Sequence, residues 1–195
     1  MKRIRCCGEL LTENKKFKNA AHIYTQAIKY NPEKADLYYD LGIVYSMMNE
    51  FSLAKECFEK AIEIDSNLYN AYYRLGQIAL LYRDIESAEK YFMQSLYGET
   101  EAKAYYQLAK ISIIKNDKNK SGIFMNKAIE IDPKYYDIAS NEPIFFSIKK
   151  LIEKPENVKS SNAIEPEKER QISEYLDNTY DLTKVLNDKK TNKSN

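Results

Sequence analysis

Along residues 35–64 the apolar positions follow a helical period, not the alternation of a strand. Leu41, Tyr45 and Met48 recur at spacings of 4 and 3, which puts them on one stripe of a helix. After the break at Asn49-Glu50, Ala54, Phe58 and Ala61 form a second stripe at i, i+4 and i+7. Two helices joined by so short a loop must lie antiparallel. Arg83-Asp84 breaks the chain in the same way between the next two stripes.

The helix pair recurs with a fixed period. Gly8, Gly42 and Gly76 are separated by 34 and 34 residues, and Ala109 follows after 33. Tyr38, Leu41, Gly42 and Tyr45 in one unit correspond to Tyr72, Leu75, Gly76 and Ala79 in the next, then to Tyr105, Leu108, Ala109 and Ser112. Twelve residues past each small position come Ala20, Ala54, Ala88 and Ser121. Tyr24, Phe58, Phe92 and Met125 stand four residues later, then Ala27, Ala61, Ser95 and Ala128. A glycine at a crowded helix crossing lets the two helices of a unit approach, and Pro32 and Pro133 mark where second helices stop.

These residues resemble the tetratricopeptide repeat, a 34-residue helix–turn–helix unit. The resemblance covers four units: 1–34, 35–68, 69–101 and 102–134. Tyr or Ile4 replaces the usual Trp, the third unit is one residue short near Tyr97-Gly98, and Ser112 and Ser121 weaken the fourth. The resemblance implies an all-α, right-handed α-solenoid. Such units bury their apolar faces only against neighbours, so the ends need treatment. Segment 135–154 leaves the register but keeps an apolar helical stripe of Ile144, Phe145, Ile148, Leu151 and Ile152, opened by Pro143. It reads as a C-terminal capping helix. Met1 falls in the first slot of the first unit, so either that helix frays or a preceding segment is missing.

From 155 to 195 the composition turns polar, with a linker through Ser160, Ser161 and the mixed charges of 165–170. Ile172, Tyr175, Leu176, Leu182, Val185 and Leu186 keep approximate helical spacing. This predicts a largely disordered, weakly helical tail; the alternative is a partner-binding helix or one folding back into the groove.

Composition narrows function mainly by exclusion. Glycine and proline number only 5 each among 195 residues, which argues against β-rich folds, whose turns need residues with φ > 0, and against a glycine-rich phosphate loop. Thirty basic against 29 acidic residues leave net +1, no bulk signal for nucleic acid or an anionic membrane. Nothing approaches ~18 consecutive apolar residues, and the three cysteines make no disulfide framework, so a cytoplasmic chain is expected. His22 is the single histidine; without a catalytic or metal-ligand spacing, no enzyme activity, cofactor or metal is expected. The balanced charge is segregated by unit: 8 basic and 3 acidic in 1–34 (+5), 2 and 7 in 35–68 (−5), 3 and 5 in 69–101 (−2), 7 and 3 in 102–134 (+4). Such bands orient a partner or favour weak head-to-tail self-association.

In the family the first helix of each unit lines a concave groove that holds protein or peptide partners. Carried over slot by slot, the fifth position is Arg5, Tyr39, Tyr73 and Tyr106. The same face takes Ile43, Gln77 and Lys110 at the ninth slot, Arg74 at the sixth, and Asn70 and Lys103 at the second. The resemblance implies apolar anchoring by three tyrosines, with Arg74, Lys103 and Lys110 selecting acidic or C-terminal groups. The two-carboxylate clamp of chaperone-serving relatives is not expected. Its slots here hold Arg5, Glu9, Asp40, Asn70 and Arg74, and Glu9 and Asp40 place negative charge where a ligand carboxylate would sit. The expected function is a non-enzymatic interaction scaffold or adaptor. Alternatives are a dedicated chaperone or secretion-type adaptor shielding one client, and, less favoured by the neutral charge, an RNA-binding helical-repeat protein.

Overall fold

The computed structural model describes residues 2–155, so the tail expected over 155–195 lies outside the described residues from 156 onward. Within them the chain is helical throughout: α1 (Lys2–Glu13), α2 (Phe17–Tyr30), α3 (Ala35–Met47), α4 (Phe51–Ile64), α5 (Tyr69–Leu81), α6 (Ile85–Ser95), α7 (Glu101–Ile114), α8 (Lys118–Ile131) and α9 (Lys134–Asn141), then a 3₁₀ segment, Pro143–Leu151. Successive helices pack as pairs, α1 with α2 through α7 with α8, and each second helix also packs on the first helix of the next pair. The result is an all-α helical-repeat solenoid.

Volume matching sets the spacing within each pair. A methyl group added to Gly42 would lie 2.7 Å from Phe58 Cε1, one on Gly76 2.8 Å from Phe92 Cε1, and one on Gly8 2.5 Å from Tyr24 Cζ. Each glycine therefore faces the aromatic sixteen residues later, across the crossing of its own two helices. The fourth pair replaces glycine and ring by Ala109 and Met125, both fully buried in one cluster. A larger small residue is matched there by a narrower, flexible large one. Ser121, at an alanine slot, donates its hydroxyl to the Ala109 carbonyl at 2.9 Å, which satisfies the one polar atom this substitution buries.

The units join through a second recurring set. Leu37, Leu41 and Val44 pack against Ala20, Tyr24 and Ala27 of α2. Ala71, Leu75 and Ile78 take the same positions against α4, and Ala104, Leu108 and Ile111 against α6. All nine are 6% exposed or less, so this docking face of each first helix is closed by the unit before it.

The turns between paired helices contain left-handed residues that are not glycine. Lys15, Asn49, Arg83 and Asn116 have φ of 57°, 60°, 61° and 62°. Each terminates its helix with a six-to-one bond from the next residue, as when the Asp84 N–H donates to the Ala79 carbonyl at 2.9 Å. The helix-ending geometry is strong enough to hold asparagine, lysine and arginine where glycine is usual. Asp84 and Asp117 then cap α6 and α8 by accepting from the N–H groups of Ser87 and Lys120 at 3.0 and 2.9 Å.

The closing segment is not the single helix that its apolar stripe predicts. It is α9, a break at Glu142, and a 3₁₀ run in which Phe145 and Ile148 are buried. Phe145, Ile148 and Leu151 are spaced by 3 and 3, the period at which 3₁₀ side chains eclipse on one edge. Gly122 of α8 admits this edge, since a Cβ there would lie 2.9 Å from Leu151 Cβ. With Tyr135 and Ala139, these residues cover Met125, Ala128 and Ile129 at the C-terminal end of the array.

Candidate partner-binding face

The fifth, sixth and second slots converge because successive first helices lie side by side. The contacts of Arg5 show the register. Its Nε lies 2.8 Å from Asp40 Oδ2 and 3.2 Å from Glu9 Oε1, and Nη1 donates to Asp36 Oδ2 at 3.3 Å. A fifth-slot residue thus meets the second- and sixth-slot residues of the following unit. In that register the slots following Tyr39 are Asn70 and Arg74, and those following Tyr73 are Lys103 and Gln107.

Electrostatics at the Arg5 cluster are one-sided. Burial pushes the Asp40 carboxyl up to about 6, against the opposing pull of Arg5, so the desolvation of this carboxylate outweighs its ion pair. Three carboxylates occupy the guanidinium, which leaves Arg5 committed within the chain and unable to act as a carboxylate-binding arm. The basic first unit and acidic second unit thereby satisfy part of their charge internally.

The three fifth-slot tyrosines differ. Tyr39 is half-buried, its ring 5.6 Å from that of Phe58 at 54°. Tyr73 is 6% exposed, edge-on to Phe92 at 5.4 Å, and belongs to the core around Leu80 and Leu108. Tyr106 has no aromatic nineteen residues later, because Met125 stands there. Its ring turns instead to Tyr135 at 5.2 Å and Phe145 at 5.9 Å, and its hydroxyl donates to Glu142 Oε1 at 2.6 Å. Lys110 is held at the same place: Nζ donates to the Tyr106 hydroxyl at 3.1 Å, lies 4.7 Å from the ring centroid and 3.7 Å from Glu142. The closing segment therefore covers the fifth and ninth slots of the fourth unit, Tyr106 and Lys110. Glu142, which ties Tyr106 and Lys110 down, falls outside the repeat register and has no slot to identify it.

The remaining expected residues split between buried and open. Gln77 is 7% exposed and accepts from Arg74 Nη1 at 3.1 Å. Ile43, Asn70 and Arg74 are half-buried, and Lys103 is exposed. Arg74 and Lys103 make no ion pair among the described residues. Asn70 Oδ1 is buried without a hydrogen-bond partner among the described residues, a condition that costs about 1–3 kcal/mol. Tyr39, Ile43, Asn70, Arg74 and Lys103 thus compose an open strip on α3, α5 and α7, bounded by the Arg5 cluster and the Glu142 cluster.

Other chemistry is sparse. His22 is exposed on α2, and among the described residues no group of three or more His, Cys, Asp or Glu side chains is placed to hold a metal. Cys6 and Cys7 are exposed on α1, while burial pushes the Cys57 thiol up to about 12. No helix among the described residues is long and apolar enough to cross a membrane.

Comparison with known proteins adds to this geometry. Tetratricopeptide repeat profiles match residues 35–68, 69–97 and 102–135, and a TPR repeat profile matches 8–49. The chain is 33% identical over 73 residues to the Protein SGT1 homolog of Oryza sativa subsp. japonica, covering 37% of this chain and 20% of that protein. The chain accordingly spans about a fifth of that relative's length. Among solved structures it is similar to MamA, with a TM-score of 0.67 at 21% identity over 77% of this chain and 82% of that one. It is also similar to YrrB, described as a TPR protein with an unusual peptide-binding site, with a TM-score of 0.59 at 19% identity over 74% and 80%. At these identities the likeness is one of fold.

Proposed function

Because the chain belongs to the tetratricopeptide repeat family, we propose that it is a non-enzymatic protein-interaction scaffold that holds an extended, acidic segment of a partner against α3, α5 and α7. The observation that carries this reading is the open strip itself. Among the described residues Arg74 and Lys103 make no ion pair, whereas Arg5 and Lys110 on the same face are paired within the chain. Tyr39 and Ile43 offer apolar surface on the same face, and half-buried Asn70 adds a side-chain amide to it. The peptide-binding description of YrrB supports the class of ligand. Tyr73 and Gln77 serve as walls of the strip, and Tyr106 and Lys110 as its closed end. The commitment of Arg5 to three carboxylates disfavours a C-terminal carboxylate clamp.

Selection of peptides from a random display library by the full chain tests the proposal. Enrichment of sequences with spaced Asp or Glu residues and no fixed C-terminus is expected. Enrichment of basic or helical amphipathic sequences, or loss of selection only with Tyr106→Ala and not with Arg74→Ala, would overturn it.

A further inference from the structure

The face by which each first helix docks onto the unit before it is closed in three units and open in one. Positions three, seven and ten of the second to fourth units are 6% exposed or less. The corresponding positions of α1 are Arg3, Cys7 and Leu10. Cys7 is exposed, and Leu10 is 57% exposed against 1% for its counterpart Val44. Among the described residues nothing covers this face.

We propose that the chain's own segment 172–186 docks on this open face of α1 as an amphipathic helix, in the position that the second helix of the preceding unit takes in the other layers. Ile172, Tyr175, Leu176, Thr179, Leu182, Val185 and Leu186 fall on one stripe when the segment is helical, at the spacings of 3 and 4 that the array uses to close its other layers. The segment holds 3 acidic residues and 1 basic residue (−2) and meets a first unit of +5. Reach permits it. Glu153 N–H donates to Asn126 Oδ1 at 3.0 Å, so the described chain leaves from α8. Three layer steps and the outer face of α1 amount to roughly 40 Å at about 10 Å per layer. The 16 residues 156–171 extend to about 53 Å. Tethering raises the local concentration of the segment to the millimolar range, so weak contacts suffice.

A second copy fits this face less well. Two copies meeting through α1 would bring two +5 units together. A copy stacking head to tail would need the end that Phe145, Ile148 and Tyr135 already cover.

The adjacent cysteines report the outcome. Cys7 stands in the docking slot, and Cys6 in the sixth slot of the groove face, equivalent to Asp40 and Arg74. Alkylation rates are measured in full-length Cys6→Ser and Cys7→Ser chains, with and without Leu176→Asp and Leu182→Asp. Because the aspartates lie in the tail, the array keeps its fold. A face occupied nine-tenths of the time slows the reaction about tenfold. Cys7 is expected to gain about that much reactivity when the aspartates are introduced, at every protein concentration, while Cys6 is unaffected. If the aspartates leave the Cys7 rate unchanged, or free Cys6 instead, the segment does not lie on this face. Protection of Cys7 that disappears on dilution would overturn docking within one chain.

Discussion

Replacing Gly76 by alanine probes the rule that sets the distance between paired helices. The new methyl group would lie 2.8 Å from Phe92 Cε1 and 2.9 Å from Cδ1 and Cζ, against an optimum near 3.5–4.0 Å between carbons. The ring cannot swing aside, because it is fully buried and held edge-on by Tyr73 at 5.4 Å. Overpacking of this kind costs about 1–3 kcal/mol, and the geometry places it at the upper end. The better helix propensity of alanine returns about 1 kcal/mol. Gly76→Ala is therefore expected to destabilise by about 1–2 kcal/mol. Phe92→Met alone should cost about 1–2 kcal/mol through lost contact and residual space. The pair together reproduces Ala109 and Met125 of the fourth unit, so the double variant should recover about 1.5 kcal/mol relative to the sum of the singles. Urea unfolding of the full chain, followed by far-UV circular dichroism, reads all four corners of the cycle. A Gly76→Ala chain more stable than the parent, or single effects that add to within about 0.5 kcal/mol, would refute the volume-matching argument.

Three further outcomes follow from particular residues. Arg83→Gly should stabilise by about 0.5–1 kcal/mol, because a left-handed φ of 61° strains an arginine and not a glycine; a lower urea midpoint would contradict this. The Asp40 carboxyl is raised to about 6 from an unfolded value near 3.9, so its protonation favours the folded state. Its stabilising contribution is complete below about pH 4 and is lost as pH rises through about 6, on the order of 2 kcal/mol in all. The parent should therefore lose that much stability relative to Asp40→Asn between pH 4.5 and 7, and parallel pH profiles would remove the assignment. Tyr73→Ala should cost about 3–5 kcal/mol of stability as a core cavity, whereas Tyr39→Ala should weaken peptide binding with little change in urea midpoint; the reverse pattern would exchange their roles.

The register was legible in the sequence because it is written in residue volume. Small and large residues recur in register every 33 or 34 positions, whereas the pairing of Gly42 with Phe58 across their own helix crossing, and not between neighbouring units, is visible only in the fold. Other features depend on contacts that a repeat pattern does not encode. Lys15 and Arg83 carry no compositional sign of left-handed backbone, and their conformation comes from the helix ending around them. The closing helix does open at Pro143, but its 3₁₀ form is not legible, because a stripe at spacing 3 fits either kind of helix on a short segment. For the candidate face, slot position identified which residues point one way along the first helices, but not which of them solvent reaches. Tyr39, Tyr73 and Tyr106 share a slot, yet accessibility depends on the ring nineteen residues later and on Glu142 and Phe145 from outside the register. The Arg5 cluster was present in the sequence as Arg5, Asp36 and Asp40, but reading it required knowing which slots of adjacent units touch.

The most direct measurement is peptide preference after reversing the charge of the open strip. Fluorescence anisotropy compares an extended acidic peptide with its Lys-substituted counterpart on the parent chain and on Arg74→Glu/Lys103→Glu, at fixed ionic strength. Each charged contact contributes about 1 kcal/mol in a half-buried setting, so reversal of both should weaken the acidic peptide by roughly 30-fold or more. The same reversal should give the basic peptide the advantage. Unchanged affinity for the acidic peptide would contradict binding at Arg74 and Lys103.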